Sequence, residues 1–193
     1  MNDTKKIRGR GRPRRFNESD AIEAAETLFH ERGYDGVGVA ELGAAMGIAP
    51  PSLYAAFGSK LGLFERALLA YEAQNGGILA EFLNREGPVA EVLPFFLEEA
   101  ARFYSRPGAP CGCMVLSGTW NSADAEAVAL TARLKQAGRD RIRDRIALER
   151  PQDAERLADF TVSLMAGLSA LARDGVAQER LVAAARAAAP VYA

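Results

Sequence analysis

Residues 33–60 read GYDGVGVAELGAAMGIAPPSLYAAFGSK, and their spacing decides the fold. Glu41 to Met46 places Leu42 and Met46 on one helical face, and Pro50 to Phe57 does the same with Leu53 and Phe57. Between them Gly47 supplies the positive φ of a tight turn, with Ile48 filling the angle. Two short helices meeting at such a turn are a helix-turn-helix, whose second helix is the one that enters a DNA groove.

Upstream, Asn17 with Asp20 three residues later has the character of a capping box. A helix is expected through Ala21, Ile22, Ala25, Leu28 and Phe29, stopped at Gly33. Downstream, Ser59 is placed to cap a fourth helix that starts at Lys60 and carries Leu61, Phe64, Leu68 and Tyr71. The expected organisation is a basic arm over residues 1–16, a helix-turn-helix domain over 17–62 and a larger helical domain over 63–193.

The formal net charge of −1 conceals an asymmetry, since residues 1–15 carry +6 and the remaining 178 residues carry −7. A basic arm on a mildly acidic body suits a protein whose phosphate contact is confined to one end. The arm reads RGRGRPRR and resembles the AT-hook peptide, so Arg10, Arg12 and Arg14 are candidates for a narrow A·T-rich minor groove. An unstructured tail that adds only non-specific affinity is the competing reading.

Two cysteines in 193 residues provide no disulfide framework, and no apolar run reaches the roughly 18 residues of a membrane span. No secretion signal is legible, so a cytoplasmic protein is expected. Beyond Gly76 helical patterns follow one another, over Val89–Tyr104, Ala125–Glu149, Asp153–Asp174 and Val176–Ala189, with a short segment at Cys113–Trp120. The fold class is all-α. The RDRIRDR run at 139–145 reads as a solvated face with paired charges. Leu157, Phe160, Leu164, Leu168 and Leu171 recur near a heptad spacing among small residues, which is either core or the seam of a homodimer. A dimer has a functional reason, because one helix-turn-helix touches too few base pairs for specificity.

The N-terminal third resembles the TetR family of bacterial transcriptional regulators. The resemblance lies in AETLFHERGY at Ala25–Tyr34, LGAAMGI at Leu42–Ile48 and LYAAFGSK at Leu53–Lys60. It implies a dimeric repressor of a palindromic operator, with a C-terminal pocket whose small-molecule effector releases the double-stranded DNA. It implies phosphate contacts from Tyr54 and Lys60, a polar recognition contact from Ser52, and core anchors at Leu53 and Phe57. Gly38, Gly43 and Ala49 depart from the family's usual capping and alanine positions, which suggests a somewhat less stable domain. Pro50 and Pro51 partly compensate, since prolines in a first turn lose only amides that would be unbonded.

The recognition segment APPSLYAAF has no Arg, Lys, Asn or Gln for bidentate base contacts. Apolar contact of Pro50, Pro51 or Ala55 with thymine methyls remains, and specificity is expected to come partly from DNA shape.

Candidates for the pocket wall are Phe96, Phe103, Cys113, Met114, Ser117, Trp120 and Met165, a lining suited to an apolar or aromatic effector. Gly112, Cys113 and Met114 also match a motif of some TetR-like regulators in which the cysteine senses oxidants or electrophiles. A thiol at a helix start can have a lowered pKa, so a Cys113-based sensor is an alternative to simple ligand release. A weakly specific architectural DNA binder is another alternative. No metal site or cofactor is expected: C-x-C supplies two ligands, and the single histidine, His30, is expected at a helix surface or packing edge. Without a catalytic histidine, phosphate loop or nucleophile elbow in the C-terminal half, enzyme chemistry lacks its parts.

Overall fold

The computed structural model describes residues 17–193, which are helical with no strand among the described residues. The arm residues Arg10, Arg12 and Arg14 lie outside them.

Helix α1 (Glu18–Arg32) starts where the Asn17 side chain accepts the Ser19 N–H at 3.1 Å, and ends at Gly33 with φ +74°. Asp20 bonds the Asn17 side chain rather than its backbone, so only half of a capping box forms. Helix α2 (Val39–Met46) begins two residues before the expected Glu41 and has no side-chain cap at Gly38. Its end is set by Gly47 in the left-handed region at φ +68°, where the Ile48 N–H closes onto the Gly43 carbonyl at 2.9 Å. A Cβ at Gly43 would come within 2.7 Å of the Ile48 carbonyl oxygen, so this glycine serves the turn. Helix α3 (Pro50–Phe57) starts without a side-chain cap at Ala49 and has prolines in its first turn.

Helix α4 (Lys60–Asn75) is capped by Ser59 Oγ, which accepts the Gly62 N–H at 2.9 Å. Helices α5 (Gly77–Asn84), α6 (Val89–Tyr104), the single turn α7 (Met114–Ser117), α8 (Ala125–Ala147), α9 (Ala154–Arg173) and α10 (Gln178–Ala187) complete the body. Asp124 caps α8 by accepting the Glu126 and Ala127 N–H groups at 3.0 Å.

Two hydrophobic cores result. The first gathers Phe29, Leu42, Leu53, Phe57 and Phe64 from α1 to α4, and extends to Met114, Ala127 and Leu130 of α7 and α8. The N-terminal helices are therefore closed by elements far along the chain. The second core lies within α5, α6, α8, α9 and α10, around Phe96, Leu97, Ile142, Leu157 and Leu168. Phe103 and Cys113 pack against both cores and mark the seam between them.

The stripe on α9 resolves into different environments. Leu157 and Leu168 are buried inside their own protomer, Phe160 and Leu164 are half-buried against the same core, and Leu171 is exposed. As a dimer seam this set is corrected for Leu157 and Leu168, because α9 is itself flanked by α6 and α8 and must fill that space first. Over its second half the exposed residues of α9 include Ser163, Ala166, Gly167, Ala170 and Leu171, while its first half exposes Glu155, Arg156 and Asp159.

The 139–145 run is also more than a solvated face. Arg139 reaches across to Glu155 and Asp159 of α9, and Ile142 is buried in the second core. One helical turn thus supplies an interhelix ion-pair cluster on one side and a core side chain on the other. The Arg143 guanidinium adds a contact to Asp140 at 3.0 Å.

Candidate functional site

Helix α3 presents its polar and small side chains outward because its apolar pair is spent inward. Leu53 is fully buried and Phe57 nearly so, which orients Pro50, Pro51, Ser52, Tyr54 and Ala55 to solvent. Tyr54 is 50% exposed. Lys60, at the start of α4, lies with Nζ 4.2 Å from the centroid of the Tyr34 ring. Burial lowers the Lys60 pKa, and Asp35 and Asp124 oppose that shift. This arrangement holds the ammonium where α3 ends and α4 begins, and among the described residues no carboxylate lies within ion-pair distance of it.

The loop that carries Tyr34 is wired to the rest of the molecule. The Tyr34 N–H donates to the Gly118 carbonyl at 2.7 Å, and Asp35 accepts from Ser122 Oγ at 3.1 Å and the Ala123 N–H at 2.9 Å. Burial raises the Tyr34 phenol to about 12, with Asp124 adding to the shift.

Of the two positions expected for His30, a helix surface or a packing edge, the surface is corrected: the side chain is buried where α1 packs against α4. Its Nε2–H donates to the Gly112 carbonyl at 3.2 Å, while its ring meets Tyr71 edge-on. Burial lowers its pKa to about 4, outweighing the opposing Gly112 hydrogen bond, so the ring is neutral near neutral pH. The helical periodicity contained the signal, because His30 follows Phe29 on the face that α4 covers.

A cavity of about 140 Å³ lies at the seam of the two cores, between α4, α6, α7, α8 and α9. Of the expected lining residues, Phe96, Phe103, Cys113 and Met165 line it. Met114, Ser117 and Trp120 do not. Met114 is fully buried in the first core, Ser117 Oγ is hydrogen-bonded to Ser169 Oγ at 3.1 Å, and Trp120 is 81% exposed in the loop before α8. Met114 and Ser117 lie within the single turn of α7 but are turned to the first core and to Ser169, while Trp120, beyond the end of that turn, stands out in solvent.

The cavity also has a polar side that sequence periodicity did not reveal. Tyr71, Glu72 and Asn75 come from α4, and Lys135 and Arg139 from α8. Those helices read as a connector and a charged surface, and only their packing turns these residues inward. Cys113 is half-buried in the wall, and burial raises its pKa; hydrogen bonds from the Leu116 and Val115 backbones and from Tyr71 oppose the rise without cancelling it. The expected lowering at a helix start is therefore overcome by desolvation. Cys111, by contrast, is exposed. Among the described residues no three His, Cys, Asp or Glu side chains gather as a metal site, and no helix is long and apolar enough to cross a membrane.

Residues 21–67, spanning α1 to the middle of α4, match the family model of bacterial regulatory proteins, tetR family. The chain is 48% identical over 181 residues to the HTH-type transcriptional repressor BdcR of Escherichia coli strain K12, covering 94% of this chain and 91% of that protein. The chain belongs to the TetR family of bacterial transcriptional regulators. A second relative, the HTH-type transcriptional repressor ComR of the same organism, is 29% identical over 185 residues, covering 91% of this chain and 88% of that protein. Among solved structures, a cysteine mutant of the TetR family regulator CifR complexed with 26-base-pair double-strand operator DNA superposes with a TM-score of 0.82. It is 37% identical and covers 94% of this chain and 100% of that one. This TetR-family chain is accordingly a helix-turn-helix DNA-binding regulator with a helical C-terminal body.

Proposed function

We propose that this chain is a homodimeric transcriptional repressor that grips a palindromic operator through α3 of each protomer and releases it when a small effector enters the cavity. The observation that carries the release step is that α4 joins both sites. Its first residue, Lys60, stands beside α3, and Tyr71, Glu72 and Asn75 near its other end line the cavity. A ligand that shifts the far end of a 16-residue helix moves its near end, about 24 Å away. Operator binding by two protomers requires recognition helices about 34 Å apart, and a change in that spacing disfavours the bound state.

In this reading Tyr54, Ser52 and Lys60 meet phosphate or base edges, with Pro50, Pro51 and Ala55 contributing apolar contact. Dimerisation uses the outward face of α9 around Ala166, Gly167, Ala170 and Leu171, where small side chains permit close approach. The cytoplasm is the compartment in which such a protein meets its DNA.

The test is a gel shift on DNA upstream of the protein's own reading frame with excess non-specific competitor. A discrete band that survives competition, and that is lost on adding an effector found by screening, supports the proposal. Smearing abolished by competitor on every candidate operator favours the weakly specific, arm-driven binder instead.

A thiol switch at Cys113 is a second reading, favoured by the position of that thiol in the cavity wall. Mass mapping of folded protein after mild peroxide or a quinone tests it, and an unmodified Cys113 rejects it.

A further inference from the structure

We infer that Gly138 forms the mouth of the cavity: the gap left by its missing side chain, between α8 and the junction of α4 with α5, is the way a small molecule reaches the interior and the Cys113 thiol. The inference rests on reading the cavity as the effector site and names the residue that controls entry to it.

One face of α8 lines the cavity, through Leu134, Lys135, Gly138, Arg139 and Ile142. Leu134 packs against the first core and Ile142 is buried in the second. Gly138 lies four residues from each, where α8 crosses the seam, and an apolar side chain there would continue the face. Nothing local calls for glycine. The backbone is helical rather than left-handed, and a Cβ at Gly138 would meet no atom within 4 Å. Glycine inside a helix is unfavourable relative to alanine, so the 23-residue α8 gives up stability at this point and leaves only open space.

That space lies at the solvent end of the cavity. Tyr71, Phe96, Tyr104 and Ile142 form a buried floor. The lining from the α4–α5 junction and the middle of α8 is only half-buried: Glu72, Asn75, Gly76, Lys135, Gly138 and Arg139. Most of these are polar or charged, as a rim in contact with water requires. Because α8 packs along both α4 and α5, the two parts of the rim border one opening. Val162 and Met165 of α9 are half-buried too, but that part of the wall is apolar and filled by side chains.

The rim is fixed on both sides. Asn75 donates to the Tyr71 carbonyl at 3.0 Å and accepts from Arg106 at 3.3 Å. Arg139 is held by Glu155 and Asp159 of α9. The cavity of about 140 Å³ behind the rim is close to the roughly 150 Å³ apolar space that accepts a benzene molecule in a protein core, so the passage serves a molecule of about one ring.

The experiment is labelling of the folded full chain with N-methylmaleimide, a neutral one-ring reagent, followed by peptide mass mapping. The Cys113 thiol in the wall reports passage, and the exposed Cys111 is the internal control for reagent and pH. Wild type is expected to label first at Cys111 and more slowly at Cys113. Gly138→Leu is expected to slow Cys113 about tenfold, a barrier rise of about 1.4 kcal/mol, with Cys111 unchanged. Gly138→Ala is expected to slow Cys113 less and to raise Tm by roughly 2–4 °C, because alanine removes the helix penalty. Slower labelling together with a higher Tm separates a narrowed mouth from a damaged fold, and Gly138→Met repeats the test if Gly138→Leu does not fold. Equal Cys113 rates in wild type and Gly138→Leu, or slowing by Met165→Phe in its place, put the entrance elsewhere and overturn the inference. A Cys113 that stays unlabelled in folded wild type overturns it as well. A gel shift then compares protein labelled at Cys111 alone with protein labelled at both cysteines. Unchanged operator affinity in the doubly labelled protein overturns effector-driven release and leaves the mouth at Gly138 standing.

Discussion

Arg173, the last residue of α9, donates through Nη1 to the carbonyl oxygen of His30 at 3.0 Å, so the last turn of α9 is tied to the end of α1. Its second nitrogen reaches the Glu31 carbonyl at 3.4 Å. The last carbonyls of a helix lack partners within the helix, and a guanidinium is suited to them by charge and by geometry. Ser169, one turn earlier, accepts the Cys113 N–H at 2.9 Å. The face of α9 that binds α1 and the segment beside the cavity is thus one continuous strip.

Replacing Arg173 by Met keeps the aliphatic stem and removes the donors. Stability is expected to fall by about 1–2 kcal/mol, as for a lost charge-assisted hydrogen bond, and operator affinity to fall with it. Calorimetry and a quantitative gel shift on the same preparation would check both; unchanged affinity would show that the strip has no part in DNA binding.

His30 makes stability depend on pH in a definite direction. Its folded pKa is about 4, below the ordinary 6.5, because burial disfavours the charged ring. Above pH 6.5 the ring is neutral in both states and this group has no effect. As the pH falls from 6.5 towards 4, the unfolded chain takes up the proton first and stability is lost, by at most on the order of 3 kcal/mol. Urea midpoints measured across that window should decline in wild type and decline less in His30→Leu.

On the DNA face, Tyr54→Phe and Lys60→Gln separate a neutral from a charged contact. Loss of the exposed phenol hydroxyl is expected to weaken operator binding by about 1 kcal/mol with no change in salt dependence. Loss of the ammonium is expected to reduce the slope of log K against log salt by about 1, the effect of one phosphate contact. Identical slopes in the two variants would remove Lys60 from the phosphate contacts.

Deletion of residues 1–14 is expected to weaken binding and to flatten its salt dependence by several units of slope if the arginines each neutralise a phosphate. Operators with A·T-rich and G·C-rich flanks distinguish the two roles of the arm. A loss confined to A·T-rich flanks indicates minor-groove insertion, and an equal loss on both indicates non-specific attraction.

Leu168 and Leu171, three residues apart on α9, should respond oppositely. Leu168→Ala opens a cavity in the protomer's own core and is expected to cost about 2–5 kcal/mol of stability. Leu171→Arg, on the outward face at 43% exposure, is expected to leave the protomer folded and to shift the sedimentation profile towards monomer. A Leu171→Arg protein that remains dimeric would place the seam elsewhere.

The DNA-reading end was legible because its instructions are local. Gly47, Pro50, Leu53, Phe57 and Ser59 each act within a turn or two of their own position, through allowed φ, capping or helical spacing. The limits of α3 accordingly match the sequence reading, while α2 begins earlier because Gly38 provides no side-chain cap to mark its start. In the C-terminal half most helices were recognisable, but the inward direction of their polar residues was not. Leu157 and Leu168 share a heptad stripe with Leu171, and periodicity cannot tell a core within the protomer from a surface between protomers.

By itself, the sequence determined an all-α chain, a helix-turn-helix near its start and the residues that this motif turns outward, because short-range backbone geometry and amphipathic spacing decide those. Only the tertiary structure decided that His30 is buried against Gly112, that Trp120 leaves the cavity, and that Tyr71 and Lys135 enter it. Each of those outcomes depends on which distant helix lies opposite, and desolvation is a property of the assembled neighbours rather than of any residue's place in the chain.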